Sequence, residues 1–296
     1  MTVAAHRLFC FGLGYSALAL ADRLRPLGWT IAGTCRDAGK QAALWARGIQ
    51  AHLFDRDRPL DDPAAALAGT THLLSSVPPA APEHGGSGDP VIDQHGADLR
   101  RIRGIAWIGY LSTTGVYGDR QGGWVDETDA LTPTGERGRR RLAAERAWLA
   151  LDPPAHLFRL AGIYGPGRSA IDTVRQGRAR RIDKPGQVFS RIHVDDIAQV
   201  LLASIERPNP GAAYNVCDDD PAAPAAVIEE ACRLLGRAPP PLEAFEQAKA
   251  SLSAMALSFY EDNKRVRNDR IKRELGVTLA YPTYREGLRA VLAATR

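Results

Sequence analysis

Two glycines near the N-terminus have the spacing that a phosphate-binding turn requires. Residues 12–17 read Gly-Leu-Gly-Tyr-Ser-Ala, a G-x-G-x-x-A pattern between an apolar run and a helical pattern. Gly12 permits a tight turn, Gly14 lets a pyrophosphate approach the backbone, and Ala17 lets the helix pack close to the strand. The first N–H groups of the helix would then face the phosphates. Because the strand–turn–helix context is present, the pattern predicts a dinucleotide site rather than an ordinary turn. Its predicted ligands are Gly12, Gly14, Tyr15, Ser16 and Ala17.

The end of the second predicted strand indicates which dinucleotide binds. A carboxylate there accepts a hydrogen bond from the ribose 2′-hydroxyl of NAD, whereas an arginine suits the 2′-phosphate of NADP. This chain has Arg36 followed by Asp37. The guanidinium is permanently charged and has the fork geometry that phosphate requires, but Asp37 could serve a hydroxyl or pair with Arg36. We expect NADP as the cofactor, with NAD as the alternative.

The ends of the next two strands supply further candidate contacts. Asp55 follows the third strand and could accept a hydrogen bond from the adenine amino group. Its alternative role is that of a solvated loop carboxylate among the charged residues 56–58. The fourth strand ends at Ser76, Val77 and Pro78, where the chain should pass the inner ribose of the cofactor.

The elements that must position these residues alternate regularly along the first half of the chain. Short apolar runs bounded by turn residues predict strands, and apolar positions on one helical face predict helices. Because the strands are continuously apolar, the alternation predicts a Rossmann-type α/β fold with a doubly wound parallel sheet, covered by helices on both faces. The predicted strands are 8–11, 29–34, 50–54, 71–77, 105–112 and 156–160, and the predicted helices are 17–27, 38–47, 63–68, 91–103 and 139–151.

The pattern becomes irregular after Tyr164. A helix over 194–206 and a strand over 213–216 are predicted to return to the main sheet, and helices are predicted over 221–235, 263–275 and 284–294. We therefore expect a dinucleotide-binding domain over 1–165, with returns near 192–218. Residues 166–296 are expected to form mainly a smaller, mixed substrate-binding lobe.

Composition narrows the class of protein. The 296 residues are 45% hydrophobic and 24% charged, with a net charge of +4. The four cysteines form no C-x-x-C pair, which predicts free thiols in a reducing compartment. No stretch reaches the roughly 18 uninterrupted apolar residues that a membrane span needs. We expect a cytoplasmic chain, monomeric or homodimeric, with a small-molecule substrate and no nucleic-acid or membrane partner.

Several ordered motifs resemble one family. Residues 112–118, Ser-Thr-Thr-Gly-Val-Tyr-Gly, resemble the S-S/T-x-x-V-Y-G segment of extended short-chain dehydrogenases/reductases, the NAD-dependent epimerase/dehydratase family. Residues 159–168 are similar to the family's sixth strand and its Y-G-P-G-R continuation, and 191–198 to its H-V-D-D-x-A helix start. The resemblance spans essentially the whole chain and assigns Ala161 to the cofactor site. The G-x-G-x-x-A spacing differs from the usual G-x-x-G-x-x-G, which indicates an atypical branch described as YeeZ-like.

The resemblance fails at the family's catalytic pair, Tyr-x-x-x-Lys. In the family, the phenol relays a proton to or from the substrate oxygen, the lysine holds the nicotinamide ribose, and a Ser or Thr positions that oxygen. Thr113 fits the last role, but the Tyr and Lys positions hold Arg137 and Arg141. Arg141 can still bind a ribose. Arg137 cannot relay a proton, because a guanidinium stays protonated at any working pH.

The missing phenol leaves several routes open. Tyr117 or Tyr164 could supply a phenol from another direction, the substrate could provide its own acid, or the protein could bind the dinucleotide without turning it over. We take Thr113, Tyr117 and Arg141 as the candidate catalytic group. A packed ring with one hydrogen bond is the structural alternative for either tyrosine.

The basic segments on either side of the sixth strand have two interpretations. The segments 137–141 and 175–181 are either solvated helix faces or part of a clamp for a substrate phosphate or carboxylate. Tyr164, Arg168 and Arg191 are the candidate substrate residues. The first functional hypothesis is an NADP-preferring oxidoreductase or epimerase-like enzyme for a small, anionic carbonyl or sugar-type substrate. The second is a catalytically silent NADP-binding redox sensor.

Overall fold

The computed structural model describes residues 6–81 and 86–295 of the chain. Seven strands form the main sheet, and the others pair in short two-stranded ladders. The strands in this part of the chain are β1 Arg7–Phe11, β2 Thr30–Cys35, β3 Gln50–Leu53, β4 His72–Ser75, β5 Trp107–Thr113, β6 Trp124–Val125, β7 His156–Leu160, β8 Gly162–Tyr164, β9 Arg181–Asp183, β10 Arg191–His193, β11 Ala213–Val216, β12 Leu242–Ala244 and β13 Arg265–Val266.

Helices follow most of the main-sheet strands. In the first half of the chain they begin and end within three residues of the predicted bounds, once the 3-10 turn Arg25–Leu27 that extends the first of them is included. They are α1 Tyr15–Leu24, α2 Ala38–Ala46, α3 Pro63–Leu67, α4 Pro90–Arg101, α5 Glu136–Leu149, α6 Ala170–Arg175, α7 Val194–Glu206, α8 Pro224–Leu234, α9 Phe245–Ala248, α10 Ala254–Glu261, α11 Asp269–Leu275 and α12 Tyr284–Ala294.

The main sheet is parallel, and its strand order is β3-β2-β1-β4-β5-β7-β11. The chain runs outward from β1 to β3 and then returns to β4 on the other side of β1. In open α/β sheets this reversal leaves a crevice at the carboxyl ends of the two central strands, where ligands bind. The observed sheet with its flanking helices confirms the predicted Rossmann-type α/β fold class.

Close packing at β1 depends on one glycine of the neighbouring strand. A Cβ added at Gly33 on β2 would overlap the carbonyl oxygen of Cys10 and lie 2.9 Å from the Leu13 side chain. Phe9, Phe11 and the helix residue Trp148 are fully buried in the core behind this strand. The sequence therefore brings the turn after β1 tightly against β2.

The chain divides into two compact units. The first contains the chain up to Thr113 together with Arg139–Arg159 and Ala198–Tyr214, and it includes most of the main sheet. The second contains Thr114–Gly138, Leu160–Ile197 and the chain from Asn215 onward. Its own core is formed where α6, α8 and α12 meet, around residues such as Ile171, Ala231 and Leu288.

The prediction for residues 263–275 was wrong in its first half. Arg265–Val266 form β13, which pairs in parallel with β6, and the helix begins only at Asp269. Pairing with a distant segment prevailed over the local helical pattern. The helix predicted over 221–235 begins at Pro224, because proline lacks an N–H and suits the first helical turn.

Candidate dinucleotide site and candidate anion pocket

The turn between β1 and α1 is fixed by hydrogen bonds from both sides. The N–H of Gly12 donates to Thr34 Oγ1 at 2.8 Å, and the N–H of Leu13 donates to the Thr34 carbonyl at 2.8 Å. On the other side, Ser76 Oγ donates to the Gly12 carbonyl at 2.6 Å. The predicted residues Gly12 and Ser76, placed after β1 and β4, are therefore in direct contact at the carboxyl edge of the sheet.

The two glycines of the turn differ in how strictly the structure requires them. Gly12 has a φ of 83°, and an added Cβ would lie 2.8 Å from Ser76 Oγ, so both conformation and space require glycine there. Gly14 is the N-cap of α1, and an added Cβ would meet nothing nearer than 3.8 Å. No side chain caps this helix and its first turn holds no acidic residue. An open, uncapped helix start of this kind fits a pyrophosphate.

The structure gives Asp37 a local role. Its Oδ1 accepts a hydrogen bond from the N–H of Lys40 at 2.8 Å and caps α2. Arg36 directly follows β2, is exposed, and has a side chain without a hydrogen-bond or ion-pair partner among residues 6–81 and 86–295. Of the alternatives that the sequence left open, the structure therefore favours Asp37 as the helix cap. Arg36 stays the predicted ligand-binding residue.

Asp55 is engaged within its own loop. Its Oδ1 accepts the N–H of Asp57 at 3.0 Å, and its Oδ2 lies 3.1 Å from Arg58 Nη2. These contacts match the loop-carboxylate alternative, and a role at adenine stays a prediction. Val77 lies beside the glycine turn, with Cγ2 3.3 Å from a Cβ built at Gly12, whereas Pro78 is exposed.

Arg141 is fastened to β5 in the first unit. Its Nη1 donates to the Leu111 carbonyl at 2.7 Å and to the Tyr110 hydroxyl at 3.0 Å, and its guanidinium carbon lies 5.7 Å from the centre of the Tyr110 ring. Burial raises the pKa of Tyr110, and the positive charge of Arg141 opposes that shift. Arg141 thus presents a fixed cation beside the end of β5, where Thr113 is the last residue.

The segment after Arg141 anchors α5 to the sheet. Glu145 accepts Nε of Arg159 at 3.2 Å and Nη2 at 3.0 Å, and Ser112 Oγ donates to the same carboxylate at 2.5 Å. All three side chains are buried. No partner for Glu145 could be assigned from the sequence. The structure shows that Glu145 forms a buried ion pair with Arg159, the residue that begins the 159–168 motif.

In the second unit, the side chain of Tyr117 is buried and hydrogen-bonded. Its ring is fully buried, and its hydroxyl donates to Asn215 Oδ1 at 2.7 Å. Arg137, at the family's tyrosine position, is exposed and lies over the ring of Phe259, with 5.6 Å between guanidinium carbon and ring centre. The contacts of Tyr117 fit the structural alternative better than the role of a proton donor.

The second unit holds a cavity of about 540 Å³. Its charged lining consists of four arginines and one aspartate, and two tyrosines contribute to its wall: Arg168, Arg178, Arg180, Arg191, Asp172, Tyr164 and Tyr284. All three predicted substrate residues, Tyr164, Arg168 and Arg191, therefore lie in one pocket. Sequence reasoning identified Arg178 and Arg180 only as part of a basic segment. We name this cavity the anion pocket.

The arginines of the anion pocket differ in how they are held. Arg191 donates through Nη1 to the carbonyls of Phe189 at 2.7 Å and Ala222 at 3.0 Å, and burial lowers its pKa. Arg180 pairs with Glu243 at 2.6 Å. Arg168 is exposed, and within the described ranges its side chain has no partner. The pocket thus combines rigid cations with one that is available to an anion.

Several buried polar atoms of the second unit lack a hydrogen-bond partner in the described part of the chain, and two of them belong to titratable groups with raised pKa values. The Tyr164 hydroxyl lies against the backbone of Gly287, where a Cβ would overlap it, and burial raises its pKa. Oδ2 of Asp218 also lacks a partner, and burial raises the pKa of this carboxyl to about 8. Asp218 was not identified from the sequence, because a run of three aspartates resembles a solvated loop. Ala161, also buried, donates its N–H to the Val216 carbonyl at 3.1 Å.

Metal sites, disulfides and membrane-spanning helices are absent among the residues that the structure covers. No group of three or more His, Cys, Asp or Glu side chains there could hold a metal ion. The four cysteines are free and buried. Within the same ranges, no helix is long and apolar enough to cross a membrane.

Comparison with known proteins agrees with the fold and the motifs. No family model matches the chain. It is 29% identical to protein YeeZ of Escherichia coli K12 over 281 residues, which cover 92% of this chain and 94% of YeeZ. A conserved protein of unknown function from Silicibacter pomeroyi has a solved structure with 52% identity and a TM-score of 0.88, and the alignment covers 98% of this chain and 99% of that one.

A second solved structure links the chain to an enzyme family. A candidate NAD-dependent epimerase/dehydratase from Methylobacillus flagellatus is 26% identical, with a TM-score of 0.72 and 99% of both chains covered. These relatives are aligned over 92% to 99% of the chain. They support the resemblance of the chain to the NAD-dependent epimerase/dehydratase family and to its YeeZ-like branch.

Proposed function

We propose that the chain is an NADP-preferring oxidoreductase or epimerase-like enzyme for a small, anionic carbonyl or sugar-type substrate. The observation that carries the proposal is the start of α1, which no side chain caps and which follows a turn where Gly12 is held between Thr34 and Ser76. A pyrophosphate fits such a helix start, because it accepts hydrogen bonds from N–H groups of the first helical turn.

In this proposal each part of the dinucleotide has its own residues. The turn 12–17 receives the pyrophosphate, Arg36 the 2′-phosphate, and Asp55 the adenine edge. Residues 76–78 line the inner half, and Arg141 binds the nicotinamide ribose. A bound nicotinamide dinucleotide would supply hydride transfer. The protein's contribution is to hold the cofactor and to place a fixed positive charge, that of Arg141, near Thr113.

The anion pocket supports an acidic substrate. Four arginines against one aspartate give the cavity an excess of positive charge, and Asp172 is itself engaged by Ser169 Oγ at 2.6 Å. Arg168 can form a charge-assisted pair with a phosphate or carboxylate without breaking an existing contact. Arg191, fixed by two carbonyls, would hold its part of the ligand in one orientation.

A specific observation favours a second function, that of a catalytically silent NADP-binding redox sensor. Arg137 replaces the phenol that relays the proton, and it lies over Phe259. Tyr117, the nearest substitute in sequence, has its hydroxyl engaged by Asn215. A sensor would need the cofactor site but no proton relay.

Separate binding and turnover measurements distinguish the two functions. Calorimetric titration of the purified chain with NADPH and NADH tests the cofactor site, and we expect tighter binding of NADPH. Absorbance at the reduced-cofactor band, with a panel of phosphorylated and carboxylated carbonyl compounds, tests oxidoreductase turnover. An epimerase returns its cofactor to the starting state, so NMR of sugar-type compounds incubated with the chain and the oxidised cofactor tests for a change of configuration. Oxidation of NADPH by a member of the panel supports the enzyme. Tight binding of NADPH with no turnover supports the sensor, and absence of dinucleotide binding at millimolar concentration would refute both.

A further inference from the structure

We infer that Arg58 is a second determinant of specificity for the 2′-phosphate, acting beside Arg36. The inference rests on the proposed NADP site and extends it to a residue that could not be singled out within its charged loop from the sequence alone. Arg58 lies in the loop after β3, 22 positions from Arg36 in the chain. The fold brings the two arginines together at the carboxyl edge of the sheet.

Hydrogen bonds join the loops that carry the two arginines. Arg58 Nη2 donates to the Arg36 carbonyl at 2.5 Å and to Asp55 Oδ2 at 3.1 Å. The backbones of Asp55 and Arg58 also exchange hydrogen bonds, at 3.0 and 3.3 Å. Gln94 on α4 donates through Nε2 to the carbonyls of Asp55 and Arg56. The Arg58 guanidinium is therefore held in place before any ligand arrives.

The local charges favour a dianion. The Asp55 carboxylate neutralises part of the positive charge of Arg58. Asp37 caps α2, and the Arg36 side chain has no carboxylate partner among the residues described. The Nε of Arg58 also lacks a partner there. Burial and the charge of Asp37 raise the pKa of Cys35, the last residue of β2, and the charges of Lys40 and Arg58 oppose this shift, which places these three charged groups near the strand end. A phosphate ester carries a charge of about −1.5 to −2 at pH 7, whereas a ribose hydroxyl carries none.

A purely structural role for Arg58 is the alternative. In that case Arg58 would only fasten the loop after β2 to the loop after β3, and its loss would weaken both dinucleotides alike. A role at the phosphate predicts a selective loss. Charge-assisted contacts with a phosphate are worth more than neutral ones, so the difference between NADPH and NADH reports on the role directly.

The test compares Arg58→Gln and Arg58→Lys with the wild-type chain. Calorimetric titrations use NADPH, NADH and the adenosine fragments 2′,5′-ADP and 5′-AMP, which isolate the phosphate from the nicotinamide half. We expect Arg58→Gln to raise the Kd for NADPH and 2′,5′-ADP about tenfold, and to change the values for NADH and 5′-AMP less than twofold. Arg58→Lys keeps the charge and should lose less. Arg47→Gln, which removes a surface arginine paired with Asp22, is the matched control and should bind as the wild type does.

The outcomes separate this inference from the proposed function. If the wild type binds NADPH, an equal loss of NADPH and NADH in Arg58→Gln, or no loss at all, overturns the role of Arg58 alone. If the wild type binds no dinucleotide, the proposed function fails and the inference fails with it. Should Arg58→Gln melt at a lower temperature than the wild type, both chains are titrated at a temperature at which both are folded, and the ratio of 2′,5′-ADP affinity to 5′-AMP affinity decides. A ratio in Arg58→Gln equal to that of the wild type counts against the assignment.

Discussion

Glu145→Gln tests whether the buried ion pair of the first unit holds α5 on the sheet. Only 2% of Glu145 and 5% of Arg159 is exposed, and the carboxylate takes two hydrogen bonds from the guanidinium and one from Ser112. The substitution keeps the shape of the side chain and removes its charge. It leaves the Arg159 cation buried without a counter-charge, which costs about 3–5 kcal/mol when one partner of such a pair is lost.

That cost is large against the total stability of a folded domain, which is about 5–15 kcal/mol. Urea denaturation followed by circular dichroism would show it as a lower midpoint for Glu145→Gln. The double variant Glu145→Gln with Arg159→Met removes both charges, so it should lose less than the two single variants added together. Asp22→Asn breaks an exposed pair with Arg47, and this control should change stability by less than about 1 kcal/mol.

The reasoning would be refuted by either of two results. A loss below about 1 kcal/mol in Glu145→Gln would mean that the buried arginine finds solvent or another partner. Strict additivity of the two single variants would mean that the side chains do not act as a pair. Because α5 also carries Arg141, NADPH affinity of the folded Glu145→Gln chain gives a second readout of how firmly that helix is held.

Three further predictions concern the two sites. Arg36→Ala should raise the Kd for NADPH about tenfold or more and leave NADH nearly unchanged; equal losses in calorimetry would show that the 2′-phosphate assignment is wrong. Tyr117→Phe should cost about 1–2 kcal/mol in urea unfolding, because Asn215 Oδ1 loses its partner in a buried site, and should leave any turnover intact; loss of turnover without loss of stability would reverse this assignment. Burial raises the pKa of Asp218 from 3.8 to about 8, so the folded chain retains a proton there that the unfolded chain releases. The contribution of this group should therefore fall as pH rises from about 4 towards 8, and Asp218→Asn should flatten the pH profile of the urea midpoint; an unchanged profile would contradict the shift.

The first half of the fold could be predicted because its signals are local. Apolar runs such as 8–11 and 156–160 cover almost the whole of a strand, and Gly28 ends the first helical segment with a φ of 81°. The glycine turn could be predicted for the same reason, since its strand, turn and helix are consecutive. In the second unit, strands of two or three residues such as β6 and β13 are too short to show a periodic pattern.

Contacts between distant segments account for what the sequence did not reveal. Asp37 could have bound a ribose or capped a helix, and only the position of Lys40 within α2 distinguishes these roles. In the sequence, Arg58 is one of several charged residues in a loop. In the structure, the pairing of β2 with β3 brings its side chain to the Arg36 carbonyl. In each case the residue type was visible in the sequence, but its partner was set by how the strands and helices pack.

Arg137 and Arg141 separate two roles that the family's Tyr-x-x-x-Lys pair performs together. Arg141 retains the positive charge of the lysine and is fixed to β5 by two hydrogen bonds, which is why we propose it for the nicotinamide ribose. Arg137 retains nothing of the phenol, because a guanidinium stays protonated at working pH and does not relay a proton. In the proposed site, a residue is therefore available to hold the cofactor, but the family's proton donor is missing. An enzyme built this way must take its proton from the substrate or from another side chain, and a sensor needs none.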